Sequence, residues 1–92
     1  MKFRIEIAKN RVKKQLRHVP KSDIQRIKKA IALLAQDPVP PGAISLAQNI
    51  YRIRVGDYRV IYKVLYDERI ILVGKVARRS ERTYKDFKEL FG

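Results

Sequence analysis

Phe3, Ile5 and Ile7 alternate with Lys2, Arg4 and Glu6, a period of two that predicts a half-buried strand. The period then lengthens. In "NRVKKQLRHV", Val12, Leu16 and Val19 recur at helical spacing, and Pro20 closes that helix. A second helix is predicted from Ser22, where "SDIQ" has the spacing of a capping box and Asp23 suits the positive end of the dipole. Ile24, Ile27, Ile31 and Leu34 form its apolar stripe, and "DPVPPG" stops it, because proline lacks the amide and restricts the residue before it. Residues 43–49 read as a loop, with Leu46 anchoring it to the core.

From Ile50 the period returns to two. "IYRIRV" and "YRVIYKVLY" flank Gly56-Asp57, a Gly-X pair suited to a tight hairpin. Asp67-Glu68 separates the second run from "RIILVGKVA", in which "IILV" suggests a strand covered on both faces. "SERTYKDFKELF" reads as a short terminal helix capped by Ser80, with Tyr84, Phe87 and Phe91 along one side. The expected fold is α+β, ordered β-α-α-β-β-β-α in one domain over residues 1–92. Its antiparallel sheet carries two N-terminal helices on one face and a short C-terminal helix.

Turn lengths set register, and register gathers charge. A two-residue turn at Gly56-Asp57 pairs Val55 with Tyr58, so Arg54 faces Arg59 and Arg52 faces Ile61. A two-residue turn at Asp67-Glu68 pairs Tyr66 with Arg69, Arg59 with Val76, and Ile61 with Gly74. On this register Arg52, Arg54, Arg59 and Arg78 emerge from one face at one end of the sheet. The other face carries Tyr51, Ile53, Val55, Val60, Tyr62, Val64, Ile71 and Val73, ready to lie under the helices. Gly74 leaves space beside Arg52 for a ligand. Like charges at ~6 Å repel by roughly 0.7–3 kcal/mol, so a guanidinium cluster is relieved by an anion. Phosphate matches its planar fork best.

Charge points the same way. Lysine plus arginine number 22 against 9 acids, a formal net of +13, beyond the magnitude of about 2 to 8 that solubility asks of a small domain. A polyanion such as RNA or DNA, or an acidic protein, is the expected partner. No cysteine is present, which excludes disulfides and thiolate metal sites and fits a reducing cytoplasm. The start has no apolar run like a signal peptide, and no stretch suits a membrane span. No histidine pair or acid cluster suggests a metal, and no cofactor is expected. His18, the only histidine, reads as a capping or solvated residue, and Lys63 extends the basic face. Tyr84 fits either the helical stripe or stacking on an RNA base.

The "YRIRVGDYRVIY" block and the "ARRSERTY" ending resemble the RelE/ParE superfamily of toxins from type II toxin–antitoxin pairs, and the basic ending resembles its RelE-like branch. The resemblance implies a metal-independent, ribosome-dependent endoribonuclease that cuts mRNA in the A site by 2′-hydroxyl attack on the adjacent phosphate. A cognate acidic antitoxin would hold it inactive, and the pair would bind operator DNA. Carried over by that resemblance, Arg52, Arg54, Arg59, Arg78 and Tyr84 are the catalytic set; Lys63 on the basic face and Arg79 and Arg82 in the basic ending are the expected RNA contacts. Arg59 would stabilise charge on the phosphoryl oxygens, Arg78 would sit at the leaving oxygen, and Tyr84 would orient the nucleotide. The best-known members have lysines at positions 52 and 54; arginine effectively never deprotonates, so either Arg54 acts only electrostatically, with ribosomal RNA, a water or Tyr84 assisting, or the reaction here is slower. A ParE-like gyrase inhibitor, a non-catalytic nucleic-acid-binding module and an inactive toxin are the alternatives.

Overall fold

A computed structural model describes residues 2–78, 90 and 91. The elements are β1 (Arg4–Ile7), α1 (Asn10–Arg17), α2 (Lys21–Leu33), β2 (Ile44–Ala47), β3 (Ile50–Val55), β4 (Tyr58–Leu65) and β5 (Ile70–Arg78). The strands form one sheet in the order β1-β5-β4-β3-β2.

The periodicity places the core correctly. Val12 of α1, Ile27 of α2 and Leu34, the C-cap of α2, are fully buried against Ile53, Val60, Tyr62, Val64, Ile71 and Val73. Leu16, Val19 and Ile31 are partly buried on the same cluster. Each fully buried aliphatic side chain stabilises the fold by roughly 1.5–3 kcal/mol, so this layer fixes the helices to one face of the sheet. α2 begins at Lys21, with Pro20 as its N-cap and no side-chain cap hydrogen bond. Ser22 is therefore not the cap. The Pro20 carbonyl accepts the amides of Asp23 (3.0 Å) and Ile24 (2.9 Å), and proline's fixed φ suits a chain entering a helix.

Two expectations about the sheet are corrected. It is mixed, because β1 runs parallel to β5 from Arg4↔Ile70 to Ile7↔Val73. The strand containing "IILV" thereby gains a neighbour on each edge, and local periodicity, which reports on the faces of a strand, carries no information on that neighbour's direction. Residues 43–49 are not simply a loop: β2 pairs antiparallel with β3 through Ile44↔Arg52, Ser45↔Tyr51 and Ala47↔Ile50, with a register shift between Ser45 and Ala47. Asn49, at φ 62°, takes the left-handed conformation that asparagine tolerates in a tight turn. Leu46 packs inward as expected, on a second cluster of Ile50, Ile61 and Leu90, together with Ala47 and Phe91.

That second cluster lies on the sheet face opposite the helices. The terminal helix predicted from Ser80, with Tyr84 and Phe87, lies outside the described residues. Among the described residues no helix is long and apolar enough to cross a membrane.

Candidate nucleic-acid interface

The hairpin of β3 and β4 has the register its turn dictates: Val55↔Tyr58, Arg54↔Arg59, Ile53↔Val60 and Arg52↔Ile61. Gly56 has φ +59°, the left-handed conformation at the first turn position for which glycine is the ordinary choice. Alternation along the strands then sets Arg52, Arg54 and Arg59 on one face, away from the helical core. Arg54 donates from Nε to the Gly56 carbonyl at 3.2 Å, and it borders the groove between α2 and the proline loop at the β3 edge. Arg52 and Arg59 each make an interaction within the protein. Lys63, paired with Ile50 on one side and Leu72 on the other, shares the face with Arg52 and Arg59, farther from the turn.

Arg78 is different. β4 and β5 keep the expected register from Leu65↔Ile70 to Tyr62↔Val73, and then it shifts: Ile61 pairs with Lys75, Val60 with Val76, Arg59 with Ala77 and Tyr58 with Arg78. The expected pairs Arg59 with Val76 and Ile61 with Gly74 do not form. A one-residue slip turns every later side chain to the other face. Arg78 therefore shares the side of Tyr58, a core residue, and its guanidinium carbon lies 6.0 Å from the Tyr58 ring centroid. The sheet face gathers three of the four arginines expected there.

The bulge is flanked by contacts from segments remote in sequence. A Cβ on Gly74 would lie 2.6 Å and 2.7 Å from the Phe91 ring and 3.1 Å from Leu90 Cβ. The open space predicted beside Arg52 is thus occupied by the chain's own end. β1 leaves β5 after Val73, whose carbonyl accepts the Ala8 amide (2.8 Å). Past the bulge, the Val76 amide donates to Gln15 Oε1 of α1 (2.9 Å). A partly buried amide left alone costs about 1–3 kcal/mol, so Gln15 takes the place of a missing strand. Sequence reading missed Gln15, a lone polar residue on the half-buried side of α1; its signal was the polar side chain between Val12 and Leu16.

Tyr62, on the face expected to lie under the helices, is fully buried. Its hydroxyl donates to the Pro38 carbonyl at 2.6 Å, which ties the proline loop to the sheet. Burial first, and then the neighbouring Tyr51, Asp37 and Tyr66, push that hydroxyl well above the ordinary tyrosine range, so it stays protonated. Arg79, Arg82 and Tyr84 lie outside the described residues. His18 is the C-cap of α1 and borders a depression that also reaches Arg78. Among the described residues no group of three His, Asp or Glu side chains could hold a metal ion. Three guanidiniums on one face can hold a phosphodiester and offset charge that builds on it; they cannot remove a proton.

Comparison with known proteins places this geometry. Residues 6–83 match the family described as the ParE toxin of the type II toxin-antitoxin system parDE. A protein of Methanocaldococcus jannaschii that carries the name toxin RelE1 is 40% identical over 91 residues, covering 94% of this chain and 99% of the relative. Among solved structures, the archaeal RelE-RelB complex of Pyrococcus horikoshii OT3 is similar with a TM-score of 0.75 and 31% identity, over 88% of this chain and 99% of that one. A double mutant of Escherichia coli RelE in the free state has a TM-score of 0.78 at 16% identity, over 99% of this chain and 95% of that one; it shares the fold.

Proposed function

Because this chain belongs to the ParE-type family of toxins from type II toxin–antitoxin systems, we propose that it is the toxin of such a pair and a ribosome-dependent endoribonuclease. It cuts mRNA in the A site and so stops translation in the cytoplasm. The whole chain acts as one toxin domain, a cognate acidic antitoxin silences it, and the pair binds operator DNA. The placement of Arg52, Arg54 and Arg59 on one sheet face, with Arg54 directly opposite Arg59, carries this reading. A pairing that is repulsive in the free protein becomes favourable once a phosphate lies between the forks.

In the reaction, the 2′-oxygen forms a bond to the adjacent phosphorus while the bond from phosphorus to the 5′-oxygen breaks. The 2′-hydroxyl loses its proton, the 5′-oxygen gains one, and the products are a 2′,3′-cyclic phosphate and a 5′-hydroxyl. Arg59 stabilises the phosphoryl oxygens, and Arg52 and Arg54 offset the negative charge that builds around the phosphorus. Arg78 meets the leaving oxygen from the strand end, and Tyr84 orients the nucleotide. Lys63, Arg79 and Arg82 hold the flanking RNA. Preorganised donors of this kind contribute about 10²–10³ in rate each. No arginine serves as base, so proton removal falls to water or ribosomal RNA, and the isolated protein cuts free RNA poorly.

Arg59→Ala and Arg78→Ala test this. Each is expected to lower codon-phased cleavage on translating ribosomes by at least about a hundredfold with the fold intact by circular dichroism. Cleavage of free RNA at rates matching those on ribosomes would overturn the ribosome dependence. The match to the ParE family over residues 6–83 favours one second reading, inhibition of DNA gyrase. Loss of supercoiling before loss of translation on induction would decide for it.

A further inference from the structure

The Gly74 bulge does more than remove Arg78 from the sheet face. It delivers Arg78 to a depression of about 260 Å³ beside the end of α1, bordered also by Gln15, His18, Tyr58 and Lys75. Lys75, Arg78 and His18 can each present a donor to an anion, and no carboxylate lines the depression among the described residues. The negative end of the α1 dipole points here, but Lys14 and Arg17 occupy the same last turn and offset it. The volume falls below the range of pockets that enclose a whole small ligand, roughly 300–1,000 Å³, and suits a phosphate group better than a nucleotide.

Position adds the second half of the argument. Arg59 pairs with Ala77 and Tyr58 with Arg78, so adjacent residue pairs at the end of the sheet hold the two basic surfaces. Arg54 and Arg59 present theirs on one face, and Arg78 and His18 theirs beside the helix, while Lys75, paired with Ile61 on the arginine face, stands at the rim of the depression between the two. We propose that this depression is a second phosphate seat, which takes the RNA phosphate on the leaving-group side of the cut. This rests on the reading of the sheet face as the RNA-cleaving site. The backbone then turns around the strand end, with one phosphate on Arg54 and Arg59 and its neighbour in the seat. Arg78 stands between them. The bulge becomes the device that gives a single strand two differently facing cationic surfaces.

Nuclear magnetic resonance of the full-length toxin, at fixed pH with an uncleavable 2′-O-methyl RNA trinucleotide, tests the seat without the ribosome. The His18 ring signals and the Lys75 and Ala77 amides are expected to shift together with those of Arg59 and Lys63. Lys75→Gln is expected to weaken the shift at His18 by roughly tenfold in apparent affinity, the loss of one charge-assisted hydrogen bond. On ribosomes, Lys75→Gln and His18→Gln should raise KM several-fold while kcat and the cut positions stay put. If the trinucleotide moves only the Arg59 and Lys63 signals, the seat is overturned and the cleavage reading survives. If it moves neither set, both fail. If inorganic phosphate moves His18 and the trinucleotide does not, the seat takes a free anion and the RNA assignment is overturned.

Discussion

The two hairpins that share β4 are built from similar sequence and behave differently. The one of β3 and β4 runs in unbroken register from Val55↔Tyr58 to Ile50↔Lys63. The one of β4 and β5 keeps register from Leu65↔Ile70 only to Tyr62↔Val73 and then slips at Gly74. A turn fixes pairing as far as the first residue that prefers not to pair, and a glycine inside a strand marks such a place. The regular hairpin collects Arg52, Arg54 and Arg59; the bulged one separates Arg78 from them. Three of the four arginines are thus placed by turn chemistry, and the fourth by a bulge at Gly74, on which Phe91, distant in sequence, is seated.

The largest expected effect comes from closing that seat. Gly74→Ala puts a methyl where the Phe91 ring already stands, and forcing extra volume into a filled site costs typically 1–3 kcal/mol. Chemical denaturation should register a loss of about 2 kcal/mol, near the middle of that range. In a Phe91→Ala background the same change should cost less than about 0.5 kcal/mol, since the double-mutant cycle removes the clash. A penalty unchanged by Phe91→Ala would place the cause in the backbone rather than in the ring.

The contrast also sorts what could be read from the chain. The two N-terminal helices, the β3–β5 meander and the face that meets the helices were legible because each shows up as a local period, and Val12, Ile27, Leu34, Val60, Tyr62 and Val64 are all fully buried. β2 was not, because a four-residue edge strand with a bulge and an exposed Ile44 offers too short and too wet a pattern. Asn49 before the apolar run of β3 was the available hint. The parallel pairing of β1 with β5 joins segments some sixty-six residues apart in register (Arg4↔Ile70), beyond any local signal. At the site, Arg52, Arg54 and Arg59 were placed correctly from one turn. Gly74 does mark a close approach, as a glycine inside a strand implies, but the group that approaches it is Phe91 and not a ligand.

The regular hairpin should give a smaller effect through a different mechanism. Gly56→Ala holds an alanine at φ +59°, which costs on the order of 1 kcal/mol. The added Cβ would lie 2.6 Å from Arg26 Nη2, a flexible tip that can swing aside. Gly56→Asn should therefore cost less than Gly56→Ala despite its greater bulk, because asparagine tolerates the left-handed region. The reverse order in thermal unfolding would mean that the clash with Arg26, and not the backbone, controls this turn.

The smallest effect lies at the seam. Tyr62 is the last β4 residue in the turn-dictated register with β5, and it pairs with Tyr51 in the regular hairpin. Its hydroxyl, donated to the Pro38 carbonyl, is held protonated by burial and, secondarily, by Tyr51, Asp37 and Tyr66. The folded state keeps this proton more tightly than the unfolded chain, whose tyrosines titrate near pH 10. The stabilisation is thus complete below about pH 10 and falls away as pH rises above it, where the unfolded state releases the proton first. Tyr62→Phe removes the hydrogen bond at a cost of about 1 kcal/mol at neutral pH and also removes this group's share of the alkaline decline. Wild type and variant should therefore converge as pH climbs from 9 to 11, measured by denaturant midpoint. Curves that stay parallel across that range would mean that the Tyr62 proton is not what the seam holds.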